Sequence, residues 1–314
     1  MAKLTVILFG RFCIHGTQHS VNGLHARRAQ ELFSQLLLHR DRIYPRETLA
    51  SLLWEDAAPA QARKYLRQAL WQIQAVLEET AGAEAKNLLT LDADWIQLNS
   101  AESLALDIAI FEHAFEACQG TPGTQLADTQ RKDLERAVQL YRADLLEGWY
   151  QDWCLFERER LQNWYLSALD KLVAWCEAHE DVECGLAYAE RILRKDPAEE
   201  QTHYHIMRLH WITGRRTQAL RQYQRCERIL MQELGVQPSE RTKMLYAHIR
   251  ADKPDPLSVH LPVPRSPAHT PPLGREQLTG LMVYFKQLQA QLVDLEEQLK
   301  RDIRAVEVVL SDRQ

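Results

Sequence analysis

The side chains best equipped for chemistry lie between Ala60 and Glu79, in AQARKYLRQALWQIQAVLEE. At 100° per residue, Ala62, Leu66, Ala69, Leu70, Ile73 and Leu77 share one side, while Lys64, Arg67, Gln68, Trp71 and Ala75 share the other, flanked by Arg63, Gln72 and Gln74. Arginine and lysine pair with phosphate or guanine, glutamine bonds base edges, and an exposed ring contacts a sugar or a thymine methyl. The pattern predicts a helix with one core face and one face suited to a DNA groove. An ordinary amphipathic surface helix carries the same pattern, so its surroundings have to decide.

Other chemistry lacks its residues. The sequence contains no GxxxxGK[ST] loop, GxGxxG turn, HExxH pair or GxSxG elbow. Cys176, His179 and Cys184 fit no standard zinc spacing, and buried thiols beside a surface histidine account for them. His203 and His205, two apart, fall on different sides of a helix and do not suit a shared metal. Neither an enzyme, a metal nor a cofactor is expected.

A chain of 314 residues predicts two or three folded units, and 46% hydrophobic with 26% charged residues is enough to give them cores. Residues 1–110 hold 11 Lys and Arg against 12 Asp and Glu, so any DNA contact must be a local patch rather than a general basic surface. The six cysteines are scattered without a CxxC pair and no basic-then-apolar leader is visible, which predicts a reducing cytoplasm and mostly buried thiols. Leu4 to Phe9, the longest early apolar run, is too short to span a bilayer, so no membrane association is expected.

The elements around the helix are readable in order. Residues 4–24 predict short strands with turns at Gly10, Gly16 and Asn22-Gly23. Helical spacing covers residues 25–39, a short helix follows Pro45, and Pro59 precedes the stretch described above. Leu88 to Leu98 then reads as a hairpin around Asp92-Ala93-Asp94. Sheet, three helices and hairpin, over residues 1–100, is the order of a winged helix-turn-helix domain of the response-regulator effector type. In that arrangement the third helix enters the major groove, the hairpin reaches the minor groove, and the first helix meets phosphate. Arg27, Arg28 and Arg46 are candidates for that last contact, although solvated surface arginines would look the same.

Residues 104–251 read as helices separated by turn signals at Gly120 to Gly123, Gly148, Asp196-Pro197, Gly214 and Gly235 to Pro238. Gly185, Ala189 and Ile192 recur 34 residues later as Ala219, Tyr223 and Cys226, the period of tetratricopeptide helix pairs. The aromatic residues Tyr141, Trp149, Tyr150, Trp153, Phe156, Trp164, Tyr165 and Trp175 read as packing between helices, and Glu157-Arg158-Glu159-Arg160 as a solvated face. Residues 252–274, rich in proline, predict an extended linker. In residues 275–312, Leu281, Phe285, Leu288, Leu292, Leu295, Leu299 and Val306 follow heptad spacing and predict a coiled-coil helix through which copies associate; docking back onto the helical array is the alternative.

Three stretches carry a family resemblance: ARKYLRQALWQIQAVL (Ala62 to Leu77), LYRADLLEGWYQDWCLFERERL (Leu140 to Leu161), and the run from GLAYAERILRKDPAEEQTH (Gly185 to His203) through ALRQYQRCERILMQELGVQPSERT (Ala219 to Thr242). The chain resembles the bacterial transcriptional activator domain proteins, the class that includes the Streptomyces antibiotic regulatory proteins, over about residues 1–250. The resemblance implies a DNA-binding transcription regulator, usually an activator that recruits RNA polymerase, with the helical domain serving regulation and protein contact. Two departures stand out. Many relatives read like SRLRRAL where this chain has Trp71 to Leu77, and the hairpin tip carries Asp92 and Asp94 where an arginine is expected. Fewer phosphate contacts weaken binding and flatten its salt dependence, which an oligomer offsets through avidity.

The expected fold is mainly α: an N-terminal winged helix-turn-helix (α+β), then an all-α tetratricopeptide-like repeat domain, then a C-terminal coiled-coil helix. The expected partners are double-stranded DNA, RNA polymerase or another protein at the repeats, and further copies of the chain. The competing expectation is an oligomeric scaffold or adaptor whose winged domain no longer binds DNA strongly.

Overall fold

The computed structural model describes residues 4–16, 24–40, 42–82, 88–99 and 104–252. They belong to the compact unit Met1–Pro254. The Asn22-Gly23 turn, the proline-rich linker and the coiled-coil positions from Leu281 to Val306 lie outside the described residues.

In chain order the elements are β1 (Leu4–Ile7), β2 (Cys13–Gly16), α1 (Arg27–Leu38), β3 (Ile43–Pro45), α2 (Arg46–Leu53), α3 (Pro59–Ala81), β4 (Leu89–Leu91), β5 (Trp95–Leu98) and β6 (Leu104–Leu106). Then come α4 (Asp107–Glu116), α5 (Asp128–Leu140), α6 (Asp152–Ala178), α7 (Val182–Lys195), α8 (Glu200–Ile212), α9 (Arg216–Glu233) and α10 (Glu240–Arg250). The fold is therefore mainly helical, with two small sheets confined to the N-terminal third. Among the described residues no helix is long and apolar enough to cross a membrane.

The first sheet has the order β2-β1-β6. Gly10, at φ +95°, occupies the connection that returns the chain into β2, a conformation glycine adopts without a Cβ penalty. Gly16 is the last residue of β2 rather than a turn. A Cβ there would lie 2.3 Å from the carbonyl oxygen of Thr80, so the missing side chain lets β2 abut the end of α3. The second sheet, β3-β5-β4, is antiparallel throughout, with Ile43 opposite Gln97 and Leu91 opposite Ile96. Its member β3 is only three residues long and ends in proline, too short to leave a period in the sequence.

Behind the sheets the helices share one apolar core that runs from Leu4 in β1 to Ile206 in α8, including Phe33, Leu66, Ile73, Phe111, Leu169 and Leu193. A second, smaller core joins Tyr204, Met207, Ala219, Tyr223, Leu245 and Ile249 of α8, α9 and α10. The 34-residue correspondence places equivalent residues inward on α7 and α9: Gly185, Ala189 and Ile192 are buried, as are Ala219, Tyr223 and Cys226. A Cβ on Gly185 would come within 3.0 Å of Leu209 and 3.1 Å of Cys176, so α7 crosses its neighbours closely there.

Several expectations are corrected in α6 and the loop before it. Tyr141, Trp149 and Tyr165 are buried, but Tyr150 and Phe156 are 76% and 69% exposed. Cys154, Glu157 and Leu161 define the buried face at this end of α6, and Phe156 is 200° from Cys154 around the helix. Nor is Glu157 to Arg160 a solvated face. Arg158 donates to the carbonyls of Leu145, Leu146 and Trp149, each at 2.9 Å, because the loop between α5 and α6 crosses this helix and needs donors for its carbonyl groups. Arg160 pairs with Glu157 at 2.8 Å and with Glu112 of α4 at 2.7 Å, leaving Glu159 as the exposed member of the run. Cys118, Cys154, Cys176 and Cys226 are buried, whereas Cys184 is exposed.

Strand β6 pairs parallel with β1, with Leu4 opposite Leu104 and Val6 opposite Leu106, and runs directly into α4. At this junction the buried carboxylate of Asp107 accepts from the amides of Leu8 at 3.0 Å, Phe9 at 2.8 Å and Ile108 at 2.8 Å. Burial pushes its pKa up to about 6 against the pull of those N–H groups. Replacing Asp107 with alanine orphans the Leu8 and Phe9 amides. The expected cost is about 2–4 kcal/mol, seen as a lower urea midpoint with an unchanged slope.

Candidate nucleic-acid interface

Helix α3 starts at Pro59, whose fixed φ and missing N–H suit the first helical position, and ends before Gly82 at φ +77°. Its 23 residues extend about 35 Å at the usual rise. Ala62, Leu66, Ala69, Leu70, Ile73, Val76 and Leu77 are buried, which fixes the helix by one face against α1, α2 and β2. The opposite face carries Arg63, Lys64, Arg67, Gln68 and Trp71, all exposed, with Gln72 and Gln74 half-buried at its edge. Trp71 is 68% exposed, forgoing the roughly 1.5–3 kcal/mol that burying so large a ring returns.

Among the described residues Lys64, Arg67, Gln68, Trp71, Gln72 and Gln74 make no side-chain hydrogen bond or ion pair. Their polar atoms are therefore available to a ligand. Arg63 is engaged differently: its Nη1 lies 3.0 Å from Glu47 of α2, and both side chains are open to solvent, so the pair is weak and exchangeable.

The hairpin β4-β5 turns at Asp92 to Asp94, where the Asp92 amide donates to the Trp95 carbonyl at 3.0 Å. Arg46 anchors it. The Arg46 backbone N–H donates to the Asp94 carbonyl at 2.9 Å, and its guanidinium donates to the Asp92 carbonyl at 2.8 Å. This joins the start of α2 to the hairpin tip and commits part of Arg46 within the fold.

The remaining two arginines face other partners. Arg27 donates to the carbonyl of Gly148 at 3.3 Å and lies 5.0 Å over the Trp149 ring, so it reaches the α5–α6 loop. Arg28 pairs with Glu31 at 2.9 Å. Of the ten sequence-selected cations, glutamines and aromatic residues, the structure thus collects seven on α3, adds Arg46 at the hairpin, and places Arg27 and Arg28 at the start of α1. Tyr65, 38% exposed and 6.1 Å from the Trp54 ring, adjoins Lys64; sequence reasoning passed over it because it falls between the two faces. Sequence reasoning also gave no sign of the cleft of about 600 Å³ between α2 and α3, lined by Glu47, Trp54, Glu55 and Arg63.

Comparison with known proteins bears on the helical half first. Residues 106–250 match the bacterial transcriptional activator domain family. Just under half of the chain is thus similar to that domain. It is similar to the transcriptional regulatory protein MoaR1 of Mycobacterium bovis, 23% identical over 232 residues that make up 72% of this chain and 73% of MoaR1. It is also similar to the regulatory protein DnrI of Streptomyces peucetius, 25% identical over 79% of this chain and 93% of DnrI. The match to the regulatory protein AfsR of Streptomyces coelicolor, again 25% identical, covers 81% of this chain but only 25% of AfsR. Among solved structures, Mycobacterium tuberculosis EmbR in complex with a low-affinity phosphopeptide shares the fold with a TM-score of 0.61 at 18% identity, over 81% of this chain and 66% of that one. At 81% of this chain, the likeness in fold to EmbR extends beyond residues 106–250.

Because Lys64, Arg67 and Gln68 are exposed and make no hydrogen bond or ion pair among the described residues, their removal should leave the fold intact. Single alanine substitutions at Lys64, Arg67 and Gln68 are expected to change unfolding free energy by no more than about 0.5 kcal/mol. Arg46→Ala, which releases the hairpin tip, should cost about 0.5–1.5 kcal/mol in the same denaturation experiment.

Proposed function

We propose that this chain is a sequence-specific DNA-binding transcription regulator, an activator, acting in the cytoplasm with no cofactor and no enzymatic step. The observation that carries the reading is the outward face of α3, whose Lys64, Arg67 and glutamines have no hydrogen-bond or ion-pair partner among the described residues and stand on a helix buried along its opposite face. Residues 1–100 serve as a winged helix-turn-helix domain, with α3 as recognition helix and the β4-β5 hairpin as wing. Arg63, Lys64 and Arg67 meet phosphate or guanine, Gln68, Gln72 and Gln74 read base edges, and Trp71 contacts a sugar or thymine methyl. Arg46 positions the wing and, with Arg27 and Arg28, adds phosphate contacts at the periphery.

Residues 104–251 act as a tetratricopeptide-like array that contacts RNA polymerase or another protein. Residues 252–274 form a linker, and residues 275–312 associate copies of the chain through Leu281, Phe285, Leu288, Leu292, Leu295, Leu299 and Val306. Support for the regulator reading comes from MoaR1, DnrI and AfsR, which are named as regulatory proteins. The acidic residues at the wing tip, Asp92 and Asp94, and Glu47 beside Arg63 lower the affinity of a single copy, so pairing of copies on two half-sites supplies the rest. Those same carboxylates are what would favour a protein-assembling scaffold instead.

Selection of fragments from a bacterial genomic DNA pool by the full chain, followed by footprinting, tests the proposal. An enriched sequence should emerge, and Arg67→Ala should weaken binding to it by about fivefold to a hundredfold, with the salt slope reduced by about one if the contact is to phosphate. Absence of any enriched sequence from a folded, oligomeric sample would move the assignment to the scaffold.

A further inference from the structure

Between α7, α8 and α9 lies a groove of about 380 Å³ at the seam between the two apolar cores. Its floor is apolar: Leu193 and Ile206 belong to the larger core, and Leu186 is half-buried beside them. Its rim is cationic. Arg194 of α7 and Arg225 of α9 are both exposed there, and neither makes an ion pair among the described residues. Glu190 is the acidic residue on the wall, while Gln222 is committed to His203 at 2.7 Å. His210 also faces the groove; burial and Arg215 hold its pKa below the usual imidazole value, so the positive potential comes from the arginines.

The cationic character continues along α9. Arg221, Arg225 and Arg228 fall at i, i+4 and i+7, one stripe of the helix, and are all exposed. Among the described residues none of the three has a hydrogen-bond or ion-pair partner. Exposed arginines on helices normally find a carboxylate three or four residues away, and Glu227 does not occupy such a position relative to any of them. A row of unpaired guanidinium groups beside an apolar groove is complementary to a segment with the opposite charge and an apolar stripe of its own.

We propose that this groove docks an acidic amphipathic helix of a protein partner, with an apolar side chain over Leu193 and Ile206 and its carboxylates on Arg194, Arg225 and the arginine stripe of α9. The proposal rests on the reading of the helical array as a protein-contact module and specifies the partner's chemistry. The apolar floor favours a peptide over the phosphate backbone of a nucleic acid, which has no side chain to place there.

The test uses the full chain and a fluorescein-labelled synthetic helix with leucines at i, i+3, i+4 and i+7 and glutamates on the flanks, followed by anisotropy at about 0.1 M salt. Two counterparts replace the glutamates with glutamine or the leucines with serine. The acidic amphipathic peptide should bind, each counterpart should bind about tenfold more weakly, and the double variant R194E/R225E should lose about tenfold for the acidic peptide while melting at the wild-type temperature. Absence of peptide binding, equal binding of the glutamine counterpart, or binding unaffected by R194E/R225E overturns the proposal. So does a double variant that loses duplex DNA instead of peptide. Retention of purified RNA polymerase and the DNA footprint are read in parallel: if both persist while the peptide fails, the docking proposal falls and the regulator reading stands.

Discussion

The carboxylate of Asp107 is the point on which the architecture turns. It is buried and held by the amides of Leu8, Phe9 and Ile108 at the place where β6 becomes α4. The amides of Leu8 and Phe9, directly after β1, would otherwise be buried donors without acceptors, a situation folded proteins avoid. One side chain from the helical half thus completes the backbone hydrogen bonding of the N-terminal half. Together with the parallel β1–β6 pairing, it makes the first sheet common property of both.

Further fasteners cross the same boundary. Glu112 of α4 receives Arg40 from the turn after α1 and Arg160 from α6, each at 2.7 Å, and Glu157 holds Arg160 from the other side. Trp153 of α6 donates to Glu31 of α1 at 3.3 Å, and Arg27 caps Trp149. Half-buried charge pairs of this kind are demanding: their removal one partner at a time is costly because the survivor stays desolvated. Their number around α1 means that the helix behind α3 is braced by the array rather than tethered to it. A ligand engaging α7, α8 and α9 therefore acts on a body continuous in packing with α4 and α6, through the core that joins them.

What was legible in the sequence was local. The two faces of α3 followed from spacing alone, the helix starts at Arg46 and Pro59 from proline, and the β4-β5 hairpin from apolar runs on either side of Asp92 to Asp94. The 34-residue correspondence between α7 and α9 was visible because it repeats. Strand β6 was not, since its partner lies a hundred residues earlier and three residues leave no period. Equally hidden was the commitment of Arg46 to the hairpin, Arg27 to Trp149 and Arg158 to three loop carbonyls. Composition marks such residues as surface charge, and only the path of a distant loop reveals otherwise. The exposure of Tyr150 and Phe156 has the same origin: an aromatic residue is buried by what passes over it, and nothing among the described residues covers these two.

The parallel pairing of β1 with β6 also has a consequence in time. As the chain is made from its N-terminus, β1 and β2 can form their hairpin early, yet β1 keeps an open edge until residues 104–106 exist, and the amides of Leu8 and Phe9 wait for Asp107. Such non-local closure is slow, and an unfilled edge is a site where strands of other chains can pair. The N-terminal module is thus finished by the first residues of the segment that follows it. Helix α3 meets this sheet through β2, so the platform behind its exposed face includes a strand pairing that residues 104–106 complete.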